Sequence, residues 1–481
     1  MTDRTVRLLA ATSVAALLAA PAAHAQGGAA AVGDAAASPV VPAMQDQEIG
    51  KRFRVEPADL PPPQPDEAVR NPALVVSRDG RAPNVPEGFE VSLFAELEGP
   101  RKLFVLDSGD VLVARQSAGD VMFLRDGDGD GEAETVSLFA KNFQQPYGLA
   151  RIASGENEGD VLVADVRGIW RVPYAEGEIR ATGPEIFYPQ PLSEVPEEER
   201  RPQSPMDHFA VTEEGVFGRP IGHTTRSLLR DEEGGVMYVG VGSAGNIAVE
   251  EEPRATIQAF DLDGTNQRTY ASGMRNPIGM ALHPQTGALW AVVQERDGLG
   301  DELVPDYLTQ VQEGGFYGWP YAYAGGLEQP EFAGRAPEKV AATLTPDVMF
   351  EAHSSAMNLV FYDGDMFPQD YRGDAFVVLK GSWNRADPTG YKVVRVPFED
   401  GEPQGGYENF MTGFWVEGNE RAVVWGRPTD LAVMPDGALL VADETGGTLW
   451  RVTYEETPEA TGSTDGMAPM SPQEMEGESA R

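Results

Sequence analysis

The sequence predicts an all-β fold, a six-bladed β-propeller spanning residues 84–454. Three observations predict it. First, a unit recurs in which a Gly turn leads into a short apolar strand: GDVLVAR at 109, GDVLVAD at 159, GGVMYVGVG at 234, GALWAVVQE at 287, GDAFVVLKG at 373 and GALLVADET at 437. Second, several units have a strand before them (PYGLARI at 146, NPIGMALHP at 276, RPTDLAVMP at 427) and another after them (VMFLRD at 121, GIWRVPY at 168, YKVVRVPF at 391, TLWRVTY at 448). Third, no long run places apolar residues at helical spacing, and Gly and Pro interrupt the chain too often for one.

Short strands bounded by turn signals mean an all-β fold, and a repeat of roughly 40–50 residues is the pitch of propeller blades. Six Gly-strand units give six blades, their spacing made unequal by insertions at 174–222 and 298–355. FEVSLFAEL (89–97) is then a spare strand that closes the ring against the last blade. A tandem of β-sandwiches is the alternative, disfavoured by the similarity of the six units.

The flanks differ in composition. Arg4 and Arg7 precede a small apolar run that ends in Ala23-His24-Ala25, the pattern of a secretory signal peptide over 1–25. The run is too short and Ala-rich for a spanning helix, and without an Arg-Arg pair the general secretion route is expected. A disordered Ala-rich leader is the other reading. Residues 26–83, rich in Ala, Pro and Gly, read as a mobile linker or surface wrap, and 455–481 as a disordered acidic tail. A periplasmic or secreted protein, with no membrane span in its mature form, is the expectation.

The chain has no cysteine, which excludes a disulfide framework, a thiolate metal site and an attached c-type haem. The formal charge of −39 argues against nucleic acid and anionic membranes as partners.

The chemistry concentrates between Gly222 and Tyr321. His223, one of five histidines, sits in GHTTRSLL on a loop entering a strand, where an imidazole suits proton abstraction; an incidental loop histidine is the plainer reading. Arg275 and Asn276 in GMRNPIG either cap a turn before Pro277 or present a fork to carboxylate or quinone oxygens. ERDGLGDELVPDYL crowds Asp297, Asp301, Glu302 and Asp306, which suits Ca²⁺ or a solvated acidic loop. GGFYGWPY (314–321) offers a flat aromatic surface.

Asp126, Asp128 and Asp130 in DGDGDGEAE alternate with Gly as in calcium loops, yet Ser137 stands where an EF-hand would place its Glu. A hairpin-tip loop holding a structural Ca²⁺ is expected there. LKGSWNR places Lys380, Trp383, Asn384 and Arg385 at a strand end, and WGRPTD places Trp425 and Arg427 before another. These cations converge on one mouth of a propeller. In so anionic a chain, that is the unexpected feature.

From Gly88 to Tyr454 the chain resembles the pyrroloquinoline-quinone (PQQ) dependent sugar dehydrogenases, in particular the L-sorbosone dehydrogenase branch. The ordered set GHTTRSLL, RATI (254–257), GMRNPIG, ERDGLGDEL, PDYL, GGFYGWPY, KGSWNR and GRPTDLAVMPDGALLVADE carries the resemblance. It implies PQQ and Ca²⁺ at one propeller mouth, oxidation of a sugar or aldehyde, and electrons passed to an external acceptor such as a separate cytochrome or quinone.

The resemblance makes His223 the base, and sets Arg275, assisted by Asn276, on the quinone oxygens. Lys380 and Arg427 would pair with cofactor carboxylates, with Trp383 beside them. The backbone carbonyls of Arg296 and Asp297 would hold the cofactor calcium; Glu302 and Tyr317, with Asp301 adjacent, would hold another. Gln144 or Gln145 matches the substrate-side glutamine. Two departures stand out: Gly222 replaces an Asp before the histidine, and Thr429 replaces the second cation of an Arg-x-Arg clamp. A calcium-dependent lactonase-like hydrolase and a non-catalytic glycan- or partner-binding propeller remain as rivals.

Overall fold

A computed structural model describes residues 46–155, 157–181 and 210–455. The expected signal peptide, the first part of the linker (26–45) and the tail from 456 onward lie outside the described residues.

Six antiparallel sheets follow one another along the chain. The first has strands Lys102–Val105, Val111–Arg115, Asp120–Arg125 and Thr135–Lys141. The second has Gly148–Arg151, Val161–Ala164 and Ile169–Val172, extended by a single bridge from Trp170 to Ala210. The third has Arg226–Asp231, Val236–Val241, Thr256–Asp261 and Arg268–Ser272; the fourth, Asn276–Leu282, Leu289–Gln294, Tyr307–Gln310 and Val348–Met349. The fifth has Ala356–Phe361, Ala375–Leu379, Lys392–Val396 and Tyr407–Met411, and the sixth Pro428–Val433, Leu439–Asp443 and Thr448–Tyr454.

Each Gly-strand unit of the sequence is the second strand of its sheet. The turn glycine before it takes a left-handed φ, 87° at Gly109 and 89° at Gly437, which a side chain would resist. The second strands read as unbroken apolar runs because neighbouring sheets cover both faces; Ala375–Leu379 is buried at every position.

The first strands of successive sheets touch in turn, and the sixth touches the first, which closes a ring of β-propeller-like form. They pack tightly at their starts. A Cβ on Gly148 would lie 2.5 Å from the Arg226 carbonyl oxygen, an approach only glycine permits. Asp430 fastens three first strands together. Its carboxylate accepts from Lys102 Nζ (3.2 Å), from the Leu103 amide and from Asn358 Nδ2. The spare strand Phe89–Glu96 pairs antiparallel with Thr448–Tyr454, so the sixth sheet is built from both ends of the body.

The described half of the Ala/Pro-rich segment is a surface wrap, not a free linker. Arg52–Phe53 pairs with Tyr407 and Glu408, and Leu74–Val75 runs parallel to Val423–Val424. Between them the Gln64 amide donates to Leu299 O (2.9 Å) and the Asn71 amide to Trp383 O (2.7 Å). Its prolines suit this, since a wrap that bonds at few points needs few N–H donors. Pro337–Ala341, in the 298–355 insertion, is the one α-helix among the described residues, and none of these is long and apolar enough to cross a membrane.

Candidate active site at the ring mouth

Antiparallel pairing puts the start of each first strand beside the end of the second. The residues before the six first strands therefore meet at one mouth with those following the six second strands. Arg101, Gln144–Gln145, His223, Arg275 and Arg427 arrive by the first route; Ser243, Asp297, Lys380 and Glu444 by the second.

His223 is half-buried, and its Nδ1 lies 2.9 Å from Ser243 O. A carbonyl only accepts, so Nδ1 carries the proton and Nε2 presents a bare lone pair. Arg226 Nη1 (3.0 Å) and Arg254 Nη1 (3.3 Å) donate to the His223 carbonyl and pin the loop. Burial, reinforced by the Arg275 charge, pushes the imidazole down to about 4. Its C2–H resonance in the apoprotein is therefore expected to titrate near pH 4; a midpoint near 6.5 would show the ring to be solvated and beyond the reach of the Arg275 charge.

Gly242 separates His223 from Asn276. A Cβ there would lie 2.3 Å from Asn276 Oδ1 and 2.6 Å from His223 Cβ. Asn276 Nδ2 donates to Gln294 Oε1 (2.9 Å), and Gln294 Nε2 to Ser355 Oγ (3.0 Å). The Ser355 carbonyl in turn accepts the Lys380 amide (2.9 Å). A polar chain thus links the fourth and fifth sheets.

Arg275 is buried and clamped by Asn246. Its Nε donates to Asn246 O (3.1 Å), Nη2 to Asn246 Oδ1 (3.0 Å) and Nη1 to Glu295 O (2.7 Å). Asn246 also receives the Asp297 amide on Oδ1 and the Trp319 indole N–H on its carbonyl.

The acidic loop is organised by protein donors. Asp297 Oδ1 accepts from Asn384 Nδ2 (2.8 Å) and faces His353 Nδ1 at 3.5 Å. Burial alone would lower His353, but its bonds to Asp297 and the Gly300 carbonyl win and raise it. Asp301 accepts the Ala386 and Asp387 amides, Glu302 pairs with Arg385, and Asp306 accepts the Glu295 and Ala356 amides.

The side chains of Asp301, Glu302 and Tyr317, expected beside a second calcium, are each held by protein partners. The Tyr317 hydroxyl is occupied by Gln310 O and the Gln312 amide. Within GGFYGWPY, Tyr317 and Trp319 are buried in the packing, while Phe316 and Tyr321 stay partly exposed. Of the backbone ligands, Asp297 O accepts from Asn246 and Arg296, and Arg296 O from the Val304 amide.

Among the described residues, the one group of acidic ligand atoms close enough to share an ion is Asp126, Asp128, Asp130 and Glu134, all within 4.8 Å. Asp128 is raised, chiefly by the charge on Asp130. Gln144 and Gln145 are exposed at the second sheet's end of the mouth, and Trp383, 43% exposed, stands at the fifth sheet's end.

Lys380 and Arg427 do come together, with two residues not singled out from the sequence. Lys380 Nζ and Arg101 Nη1 (2.9 Å) both pair with Glu444, while Arg427 Nη2 donates to Gly381 O (2.7 Å). Burial, helped by the Arg101 charge, pushes Lys380 down to about 7. Of the site residues not singled out from the sequence, Arg101 and Glu444 directly flank a first or second strand, and His353 shortly precedes one.

Residues 228–383 match the Glucose / Sorbosone dehydrogenase family. That segment holds Arg275, the acidic loop and Lys380, and the resemblance of the chain to these dehydrogenases is shown. Residues 337–455 match a second family, TrAA12-like.

Among curated proteins, an uncharacterized protein of Borreliella burgdorferi is 28% identical over 237 residues, 49% of this chain and 61% of its own. The Escherichia coli aldose sugar dehydrogenase YliI is 36% identical over 111 residues, 22% of this chain and 27% of its own. The chain thus spans less than two thirds of either relative. Two solved structures share the fold. The calcium structure of a Trichoderma reesei family AA12 protein has a TM-score of 0.60 at 20% identity, covering 80% of this chain and 98% of that one. The holo PQQ domain of Coprinopsis cinerea pyranose dehydrogenase has a TM-score of 0.60 at 19% identity, covering 78% and 97%.

Proposed function

We propose that the chain is an exported six-bladed propeller that oxidises a small sugar or aldehyde, sorbosone-like in class, using PQQ and Ca²⁺ at the ring mouth. One observation carries the reading: a neutral, oriented imidazole with a bare Nε2 stands on the rim that also carries Arg275, Lys380, Arg427 and Arg101. The donor set fits a planar polyanion, with cations on the first, fourth, fifth and sixth sheets. The fold neighbours, one described as a PQQ domain and one as a calcium structure, agree with it.

PQQ, when bound with Ca²⁺, supplies a two-electron acceptor for hydride from the substrate carbon, and an external carrier then takes the electrons. The protein's part is positional. His223 Nε2 takes the substrate hydroxyl proton while Nδ1–H stays on Ser243 O, which fixes the ring. Arg275 places three donors on Asn246 and Glu295, with Nη2 also 3.7 Å from Asp297 Oδ2, and its charge stabilises oxygen on which negative charge develops. Asn276 stands beside it, held by Gln294. Exposed Gln144 and Gln145 face the substrate side, and Trp383 walls the fifth sheet's edge.

The backbone carbonyls of Arg296 and Asp297 would hold the calcium, with Asp297 O now shared by the Asn246 and Arg296 donors. Asp126, Asp128, Asp130 and Glu134 would hold a structural Ca²⁺. A lactonase-like hydrolase would need free carboxylates around a central ion, and here those of the mouth loop are bound to Asn384, Arg385 and backbone amides.

The test is reconstitution. After chelation and dialysis the protein should be inactive, and dye reduction with aldoses or sorbosone should return only with PQQ and Ca²⁺ together. Activity that survives chelation, or that runs on a nicotinamide cofactor, sinks the proposal.

A further inference from the structure

We propose that Arg101 binds the cofactor directly, forming with Lys380 and Arg427 a three-cation receptor for ligand carboxylates in which Glu444 is the resident counter-anion. The inference rests on the PQQ reading above and adds a residue from a different sheet.

Charge is the first argument. Arg101, Lys380 and Arg427 come from the first, fifth and sixth sheets, in a chain of net charge −39. One carboxylate, Glu444, serves Arg101 and Lys380 together. Arg427 bonds only the carbonyls of Lys380 and Gly381 and lies over the Tyr391 ring. The neighbouring carboxylate, Asp443, is taken by the amides of Arg427, Thr445 and Gly446. Three cations thus share one free carboxylate, an excess that a dicarboxylate ligand would neutralise. The depressed Lys380, held down by burial and by Arg101, accords with too little negative charge around it.

Unmade hydrogen bonds are the second argument. Arg101 Nε and the Tyr147 hydroxyl are buried with no partner among the described residues. Such groups are costly unless something completes them, and Tyr147 lies within the field of both Arg101 and Glu444.

Placement is the third. Thr429 stands where the family resemblance leaves a cation missing. Its hydroxyl donates to Pro100 O (3.2 Å), which fixes the backbone next to Arg101. The first sheet thereby brings a guanidinium to Glu444, beside the sixth sheet's Arg427 and the fifth sheet's Lys380.

A double-mutant cycle read by PQQ binding tests this, using fluorescence quenching with Ca²⁺ present. Arg101→Gln should raise Kd at least about tenfold, the scale of a charge-assisted contact. Glu444→Gln, which removes the competing anion, should lower it. In the Glu444→Gln background, Arg101→Gln should still raise Kd about tenfold. Arg101→Lys, which keeps the charge, should recover part of the loss. If the effect of Arg101→Gln vanishes in the Glu444→Gln background, Arg101 merely screens Glu444 and the proposal is overturned. An unchanged Kd in the single variant overturns it too, while leaving the PQQ reading standing. Failure of the unaltered protein to bind PQQ overturns both.

Discussion

Replacing His223 with Ala is expected to lower turnover by about 10²–10⁴-fold, the range that a positioned proton acceptor contributes, while PQQ binding stays near normal. The expectation follows from the Nδ1–H bond to Ser243 O, which leaves Nε2 as an acceptor and nothing else. Loss of this ring removes no cation from the mouth. Arg275→Ala should differ, weakening both turnover and cofactor binding, because its guanidinium also orders Asn246 and Asp297. Steady-state kinetics beside a PQQ titration separates the two. Retention of more than about a tenth of turnover by His223→Ala, far above the range for a lost base, would assign the proton to another group.

The largest effect on stability is expected at Asp430, in the packed centre of the ring. Asp430→Ala leaves Lys102 Nζ, the Leu103 amide and Asn358 Nδ2 without their shared acceptor. Breaking a buried pair from one side costs about 3–5 kcal/mol. Denaturant unfolding should show that loss as a lower midpoint, and Asp430→Asn, which keeps an acceptor, should lose less. An Ala variant within about 0.5 kcal/mol of the original, the range of ordinary surface changes, would mean that the ring closes without this fastening.

The fold was legible because its signal is local and repeated. Each Gly turn such as Gly109 or Gly437 writes one hairpin, and strands covered on both faces leave apolar runs like AFVVL. His223, Arg275, Lys380 and Arg427 were legible because each flanks such a strand. Less legible was what the charged groups do with one another. Asp301 and Glu302 look in sequence like hard ligands awaiting a cation, and the cation that meets Glu302 is Arg385, some eighty residues on. Glu444 and Arg101 are separated by most of the ring, so no spacing rule could pair them. Long-range closure, not composition, decides those partners.

The wrap over 46–76 bonds to Leu299, Trp383, Ala422 and Asn409, residues that leave the ribosome long after it does. Its docking surface does not exist until the later sheets have folded and closed. It cannot guide assembly; it can only reward its completion. In thermodynamic terms it is a tethered ligand of the native ring, present at the effective concentration that a short connection enforces. Whatever it contributes goes to the native state alone, as any ligand selective for the folded form does. Because two of its anchors are the backbone of the acidic loop and of the Lys380 turn, that selectivity acts on the arrangement in which the mouth is complete.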